Sequence, residues 1–363
     1  MPRKLAWDRS LFTVTVFLVM AGLLMVYSAS AVLAMDLYGS PYTFLVKQAL
    51  FAVVGFALMA CLMNVPYRLL NQRGVVYGYL AANLLLLVVV LMTAPQNHAH
   101  RWLRLGPISF QPSELSKISI AIFMAYQLAQ KKDRVNDFFT TLFPCLLVLG
   151  QTAFLVVIEP DLGTAVSLVA IAGAMLFVAG LRMSYVAGLA AAFCPAFYIA
   201  VVRVPYRMRR IMTFLDPWND PLGSGFQAIQ SLIAVGTGGV WGLGPGEGKQ
   251  KLFFLPEPHT DFIFAVFAEE FGLIGGCALI FLYTIYMWRG LRASMRVPDN
   301  FGQLLAVGLT TMIVFQAFVN IGVVIGVFPT KGLPLPFISA GGSSLVVCMA
   351  ASGILLNISR EAG

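Results

Sequence analysis

The sequence predicts an all-α, polytopic integral membrane protein of about ten transmembrane helices, with a large extracytoplasmic loop between the seventh and the eighth. Three observations lead there. Of the 363 residues, 59% are hydrophobic and only 11% are charged, whereas soluble domains carry ~25% charged residues. Mean hydropathy is +0.83. Apolar runs able, or nearly able, to cross ~30 Å of hydrocarbon recur along the chain. No stretch has the mixed composition of a soluble domain, so residues 1–363 read as a single membrane domain with the large loop at 203–261.

The runs are 11–30, 44–64, 75–93, 114–129, 139–158, 164–181, 184–202, 262–288, 303–328 and 337–357. The first follows Arg3, Lys4 and Arg9 and ends near Ser28-Ala29-Ser30-Ala31, the outline of a signal peptide. Its apolar core exceeds the usual ~7–15 residues and further spans follow, so it reads as an uncleaved first helix. The fifth and sixth runs are separated only by Glu159-Pro160-Asp161-Leu162-Gly163. Cys61, Cys145, Cys194, Cys277 and Cys348 fall inside apolar runs without CxxC spacing or histidine neighbours, as small core residues do.

With the N-terminus in the cytoplasm, Arg68, Arg73, Lys131, Lys132, Arg134, Arg182, Arg289, Arg292, Arg296 and Arg360 fall on one side, as the positive-inside rule requires. Both termini are then cytoplasmic. Arg101, Arg104, Arg203, Arg207, Arg209, Arg210, Lys249, Lys251 and Lys331 fall outside, which either marks an anion there or reflects the freedom of long loops from the rule. The net charge of +8 sits in loops with no basic domain to carry it, so anionic membrane lipid, not nucleic acid, is the expected partner.

Glu114, Glu159, Asp161, Glu257 and Asp261 all map to outer ends of runs, so chemistry is expected on the extracytoplasmic face. The stretch 255–264, Leu-Pro-Glu-Pro-His-Thr-Asp-Phe-Ile-Phe, places Asp261 where the polar loop meets the eighth run. Two readings stand there: Thr260 or Asp261 caps the helix, or Asp261 is a general base. A helix N-terminus lowers its pKa while Phe262, Ile263 and Phe264 raise it, so the net sign stays open. Glu114 and Lys117 stand three apart on one helical face behind Pro112, either as a structural ion pair or as a catalytic acid with a lysine holding its charge state.

Glu269 and Glu270 lie about two turns deeper than Asp261, roughly 12 Å, where an unpaired charge costs about 2.5–3.5 kcal/mol. One of them should be paired or protonated. The loop from Arg207 is expected to be irregular, with apolar residues dipping into the outer leaflet and glycines forming flexible turns or an anion-binding nest. Lys331, on a connection bent by Pro329, Pro334 and Pro336, either snorkels or faces a diphosphate.

These stretches together resemble the SEDS family (shape, elongation, division, sporulation) over almost the whole chain. The carriers are Tyr27-Ser28-Ala29-Ser30, Arg101-Trp102-Leu103-Arg104-Leu105-Gly106-Pro107, Phe110-Gln111-Pro112-Ser113-Glu114-Leu115, Glu159-Pro160-Asp161-Leu162-Gly163-Thr164, 255–264 and 329–344. Asp216-Pro217-Trp218, Gln250-Lys251-Leu252-Phe253 and Lys331-Gly332 resemble its division branch more than its elongation branch. One departure is Ala340, where the family usually has tyrosine before Gly-Gly-Ser-Ser.

The resemblance implies a peptidoglycan glycosyltransferase at the outer face of the bacterial cytoplasmic membrane. It would polymerise lipid II, the undecaprenyl-diphosphate disaccharide pentapeptide, beside a class B penicillin-binding protein transpeptidase and other division proteins. Asp261 matches the family's essential acid, and Glu114, Lys117, Glu159, Asp161 and Lys331 match further functional positions. The expected catalytic set is Asp261, Glu114 and Lys117. Lys331, Arg101, Arg104, Arg207, Arg210, Glu159, Asp161, His259 and Ser343 are expected against the substrate and its diphosphate.

The expected reaction inverts. Asp261 takes the proton of an acceptor N-acetylglucosamine C4 hydroxyl, which attacks the anomeric carbon of lipid-linked N-acetylmuramic acid while cations steady the departing diphosphate. No protein-held metal is expected; a divalent cation, Mg or Mn, travelling with the diphosphate stays open. Two other classes compete. A lipid II flippase predicts polar residues along a midplane path and inverted repeats, and neither is seen. A non-enzymatic scaffold predicts close packing through Ala265, Ala268, Gly272, Gly275 and Gly276, which serve internal packing equally well.

Overall fold

Apolar runs fold as helices because backbone N–H and C=O groups surrounded by hydrocarbon have to bond within their own segment. The computed structural model describes residues 7–93, 101–105, 108–252, 255–330 and 332–361, without a few side chains, those of Arg104 and Arg207 among them. Their helices are α1 (Arg9–Tyr38), α2 (Thr43–Asn64), α3 (Arg73–Leu91), α4 (Pro112–Gln130), α5 (Phe143–Ile158), α6 (Leu162–Val178), α7 (Met183–Val202), α8 (Pro205–Leu215), α9 (Phe226–Gly238), α10 (Ile263–Arg296), α11 (Asn300–Val324) and α12 (Gly342–Glu361). Among the described residues seven helical segments are long and apolar enough to cross a membrane: α1, α2, α3, Phe138–Ile158, α10, α11 and α12. The other three predicted runs are occupied by α4, α6 and α7. An all-α reading leaves out one short antiparallel ladder, β1 (Leu103–Leu105) with β2 (Ile108–Phe110), Arg104 opposite Ser109.

Helix α11 is the axis, packed against α4, α6 and α10, while α12 lies along α2. The apolar stretch of α12 is 89% buried and that of α11 78%, against 22% for α2 and 28% for α3, so α11 and α12 are protein core and α2 and α3 present walls to lipid. Asp8 pairs with Arg289 at 2.6 Å and Arg68 with Glu361 at 2.6 Å, and Tyr67 donates its hydroxyl to Asp299. These contacts gather both ends of the described chain and the α10–α11 connection at one end of the bundle. Asp261, just before α10, is at the other.

The segment 203–261 is not the irregular loop expected. It carries α8, a single 3-10 turn (Pro217–Asn219) and α9, and α9 packs on α10 with Ile229 and Ala234 buried. Nor is α10 one straight helix. Gly272 sits at φ 64°, ψ −165°, a conformation open to glycine. The break frees the Glu269 and Glu270 carbonyls, which accept from Leu243 N and Gly244 N at 3.0 Å each. It also frees the Leu273 and Ile274 amides, which donate to Gly239 O at 2.9 Å and Val240 O at 3.2 Å. Residues 239–244 thus replace the bonds the helix loses, as apolar surroundings demand.

The glycines form turns: Gly239, Gly242, Gly244 and Gly246 have positive φ, and the amides of Gly239, Gly242 and Gly244 donate to the carbonyls of Gly236, Gly238 and Glu270, while the anion held by the amides that follow them is internal. Lys249 N and Gln250 N donate to the Glu269 carboxylate at 2.9 and 3.2 Å. Glu270 pairs with Lys251 at 2.7 Å and accepts from Ser28 Oγ at 2.5 Å, so both deep carboxylates have partners. Lys251→Ala strands the buried Glu270 and is expected to cost about 3–5 kcal/mol. Adding Glu270→Gln is expected to restore most of that loss, measured by denaturant unfolding of the purified chain in detergent.

Candidate active site

The connection from α11 to α12 organises the site more than the stretch 255–264 does. Its prolines and glycines forbid helix, so its backbone groups need partners from outside. Arg210 of α8 donates to Thr330 O at 3.1 Å. On α11, Asn320 Nδ2 donates both to Leu333 O at 2.7 Å and to Asp261 O at 2.8 Å, and one turn away Gln316 Nε2 donates to Pro334 O at 2.7 Å. Tyr283 of α10 donates to Pro336 O at 2.5 Å. Gln48 of α2 donates to Ser339 O at 3.1 Å and accepts from Gly341 N at 3.2 Å. Ser339 Oγ donates to Thr260 O at 2.5 Å, and Ala340 N to His259 O at 2.8 Å. The connection and residues 259–261 are stitched into one layer.

Asp261 is not the helix cap. Helix α10 begins at Ile263 behind Phe262, and no side chain makes the capping bond, which leaves the Asp261 carboxylate available for chemistry. Gly332 passes so close that a Cβ there would lie 3.0 Å from Asp261 Oδ2. Burial pushes the Asp261 carboxyl up to about 6, with Glu257 and Asp161 adding to the rise and Arg210 and Arg101 opposing it. The group is ionised at neutral pH yet more basic than an ordinary aspartate, as a general base requires.

A second cluster lies at the α5–α6 connection. Arg101 Nε donates to Glu159 O at 2.9 Å, and its guanidinium also reaches Pro160 O. Asp161 caps α6, accepting from Thr164 N at 3.0 Å and Thr164 Oγ1 at 2.7 Å, and accepts from Gln111 Nε2 at 3.2 Å. Gln111 N donates to Ser343 Oγ at 3.1 Å. Glu159 is fully buried, and neither carboxylate oxygen has a hydrogen-bond partner among the described residues. Burial pushes its carboxyl up to about 8, Asp161 adding and Arg101 opposing.

The third cluster is the buried pair of Glu114 and Lys117. Lys117 Nζ lies 2.9 Å from both Glu114 oxygens and 2.7 Å from Gln316 Oε1, so the pair reaches Pro334 through Gln316. His259 is buried with its ring 4.7 Å from that of Phe44, and burial lowers its pKa, with Glu257 opposing. Lys331 lies outside the described residues, and of Arg104 and Arg207 only the backbone, in β1 and α8, is described. Beside Thr330 a cleft of about 360 Å³ is lined by Arg209, Arg210, Thr213, Ser224, Gln227 and Pro256, among others. Among the described residues no group of three or more His, Cys, Asp or Glu is placed to hold a metal.

Sequence reasoning missed Gln48, Gln316, Asn320 and Ser339. Gln316 and Asn320 carried a signal: two amides four apart in an otherwise apolar run share one helical face, and polar groups at that depth are rarely idle. Gln48, with no second amide a helical turn away, carried a weaker one.

The family model for FtsW, RodA and SpoVE, described as "Cell cycle protein", matches residues 8–363. The chain is 41% identical over 362 residues to the probable peptidoglycan glycosyltransferase FtsW of Geobacter sp. (strain M18), covering 99% of each. It is 41% identical over 359 residues to the stage V sporulation protein E of Bacillus subtilis (strain 168), covering 99% of this chain and 98% of that one. Among solved structures it is similar to a chain from work on "Structural coordination of polymerization and crosslinking by a peptidoglycan synthase complex", with TM-score 0.80, 33% identity and 98% of each chain covered. It is also similar to the rod shape determining protein RodA of Thermus thermophilus, with TM-score 0.73, 27% identity and 99% of each chain covered.

Proposed function

Because the chain belongs to the FtsW, RodA and SpoVE family, we propose that it is a peptidoglycan glycosyltransferase of the bacterial cytoplasmic membrane, polymerising lipid II during cell division with Asp261 as general base. Ten crossings, from α1 to α7 and from α10 to α12, put both termini in the cytoplasm and Asp261 on the outer face, in accord with the positive-inside rule. The observation that carries the reading is Asp261 itself: a basic-shifted carboxylate at the end of the bundle opposite the chain termini, beside a cleft bearing two arginines.

Asp261 takes the proton of the acceptor C4 hydroxyl as that oxygen attacks the anomeric carbon, and configuration inverts. A diphosphate leaves as an anion and needs no general acid. Arg210, held at Thr330, faces its growing charge, and Lys331, between Thr330 and Gly332 in the chain, joins it. A magnesium or manganese ion would arrive with the diphosphate as part of the substrate. Glu114 and Lys117 act through Gln316 on the connection, so they are positioning residues. Arg101, Glu159, Asp161 and Ser343 hold the neighbouring wall. A class B penicillin-binding protein transpeptidase is the crosslinking partner, a role suggested by the synthase complex to which the fold is similar.

The test is the purified chain in proteoliposomes with lipid II, with and without its transpeptidase partner. Glycan strands of increasing length on a gel are the expected product. Lipid II that crosses the bilayer while remaining monomeric would make the chain a flippase instead.

A further inference from the structure

The opposite end of the bundle holds a groove that this chemistry does not use. Between the first turns of α1 and the last turns of α10 lies a cavity of about 680 Å³, within the ~300–1,000 Å³ range of small-ligand sites. Phe281, Ile285 and Trp288 form its apolar wall, and Arg9, Ser10 and Arg289 stand at its mouth. Phe281 is eight residues before Arg289 along α10, about 12 Å deeper. Phe281 and Trp288 are 61% and 56% exposed, so within a membrane helix they face lipid and not water.

Charge at the mouth is unbalanced. Arg289 and Arg292 lie over the Trp288 ring at 5.4 and 5.6 Å. Asp8 neutralises Arg289 at 2.6 Å, whereas Arg9 and Arg292 have no carboxylate partner among the described residues. A guanidinium pairs with phosphate oxygens in two-pronged fashion, and basic pockets between membrane helices take anionic lipid headgroups.

We propose that this groove is a binding site for an anionic phospholipid of the leaflet at the terminal end of the bundle. Its phosphate lies between Arg9 and Arg292 and one acyl chain lies along Trp288, Ile285 and Phe281. A zwitterionic lipid fills the apolar wall equally well but leaves the two cations without a net countercharge.

The probe is phosphatidylglycerol with brominated acyl chains, which quench tryptophan on contact, mixed at increasing fraction into phosphatidylcholine proteoliposomes of the full chain. The signal is the emission lost in Trp288→Phe. Brominated phosphatidylglycerol is expected to quench it at far lower mole fraction than brominated phosphatidylcholine, by about twenty-five-fold if each free arginine contributes about fivefold. Arg9→Gln with Arg292→Gln is expected to abolish the difference. Equal quenching by both lipids overturns the proposal, as does selectivity that survives the double substitution. Quenching by neither means that a protein segment covers the groove, and overturns it too. Should the double variant fail to insert, Arg9→Gln alone, expected to lose about fivefold, decides the matter in the same way.

Discussion

Asp261→Asn is expected to lower lipid II polymerisation by about 10²–10⁴-fold in a chain that folds and inserts normally. Asparagine keeps the volume beneath Gly332 and cannot accept the proton. The same substitution is expected not to lower thermal stability, and to raise it at neutral pH. The folded carboxyl titrates at about 6, above the ordinary ~3.9, so the fold favours the protonated form. That contribution is complete below the ordinary value and is lost as pH rises through about 6. At neutral pH the charged carboxylate is therefore a burden of at most about 3 kcal/mol, two pKa units' worth, which asparagine removes. Gel analysis of glycan products and thermal unfolding in detergent check the two halves. A well-folded asparagine variant with wild-type polymerisation would remove Asp261 from the role of base.

The second large effect is expected from Asn320→Leu, at a residue that touches no substrate. One amide group ties Asp261 O to Leu333 O, and leucine fills similar space while leaving both carbonyls without that donor. The expected stability loss is about 1–3 kcal/mol for each carbonyl left unsatisfied. The expected loss in kcat is about 10²-fold, the scale of a 1 Å misplacement of a reacting group. An Asn320→Leu enzyme with unchanged kcat would show that the layer does not depend on this clamp.

Much of the fold was open to reading because hydrocarbon allows few alternatives: apolar runs became helices. Glu114 with Lys117 was legible because three residues along a helix is a local relation. What stayed hidden depends on tertiary partners. Gly272 looks like any packing glycine until residues 239–244 are seen repairing the broken helix beside it. Helix α9 escaped because it is only 13 residues long and sits between glycine-rich stretches, and burial against α10 sustains it. The glycine-rich stretch was visible, but not that its amides serve backbone carbonyls while Lys249 N and Gln250 N hold Glu269 of the same chain. Arg101 was visible as a cation, whereas its acceptors are backbone carbonyls that no residue letter announces. His259 was visible as a polar residue, whereas its ring contact with Phe44 of α2 depends on the tertiary fold.

The central claim is that Asp261, of all the carboxylates at this end of the bundle, takes the proton. The pH dependence of kcat/KM for polymerisation tests it most directly, since a base must be unprotonated to act. The acid limb is expected to fall tenfold per pH unit below a midpoint of about 6, the value to which burial raises Asp261, with full activity on the neutral side. A limb with its midpoint at about 8, the value of buried Glu159, would contradict the account and assign the proton to the wrong carboxylate.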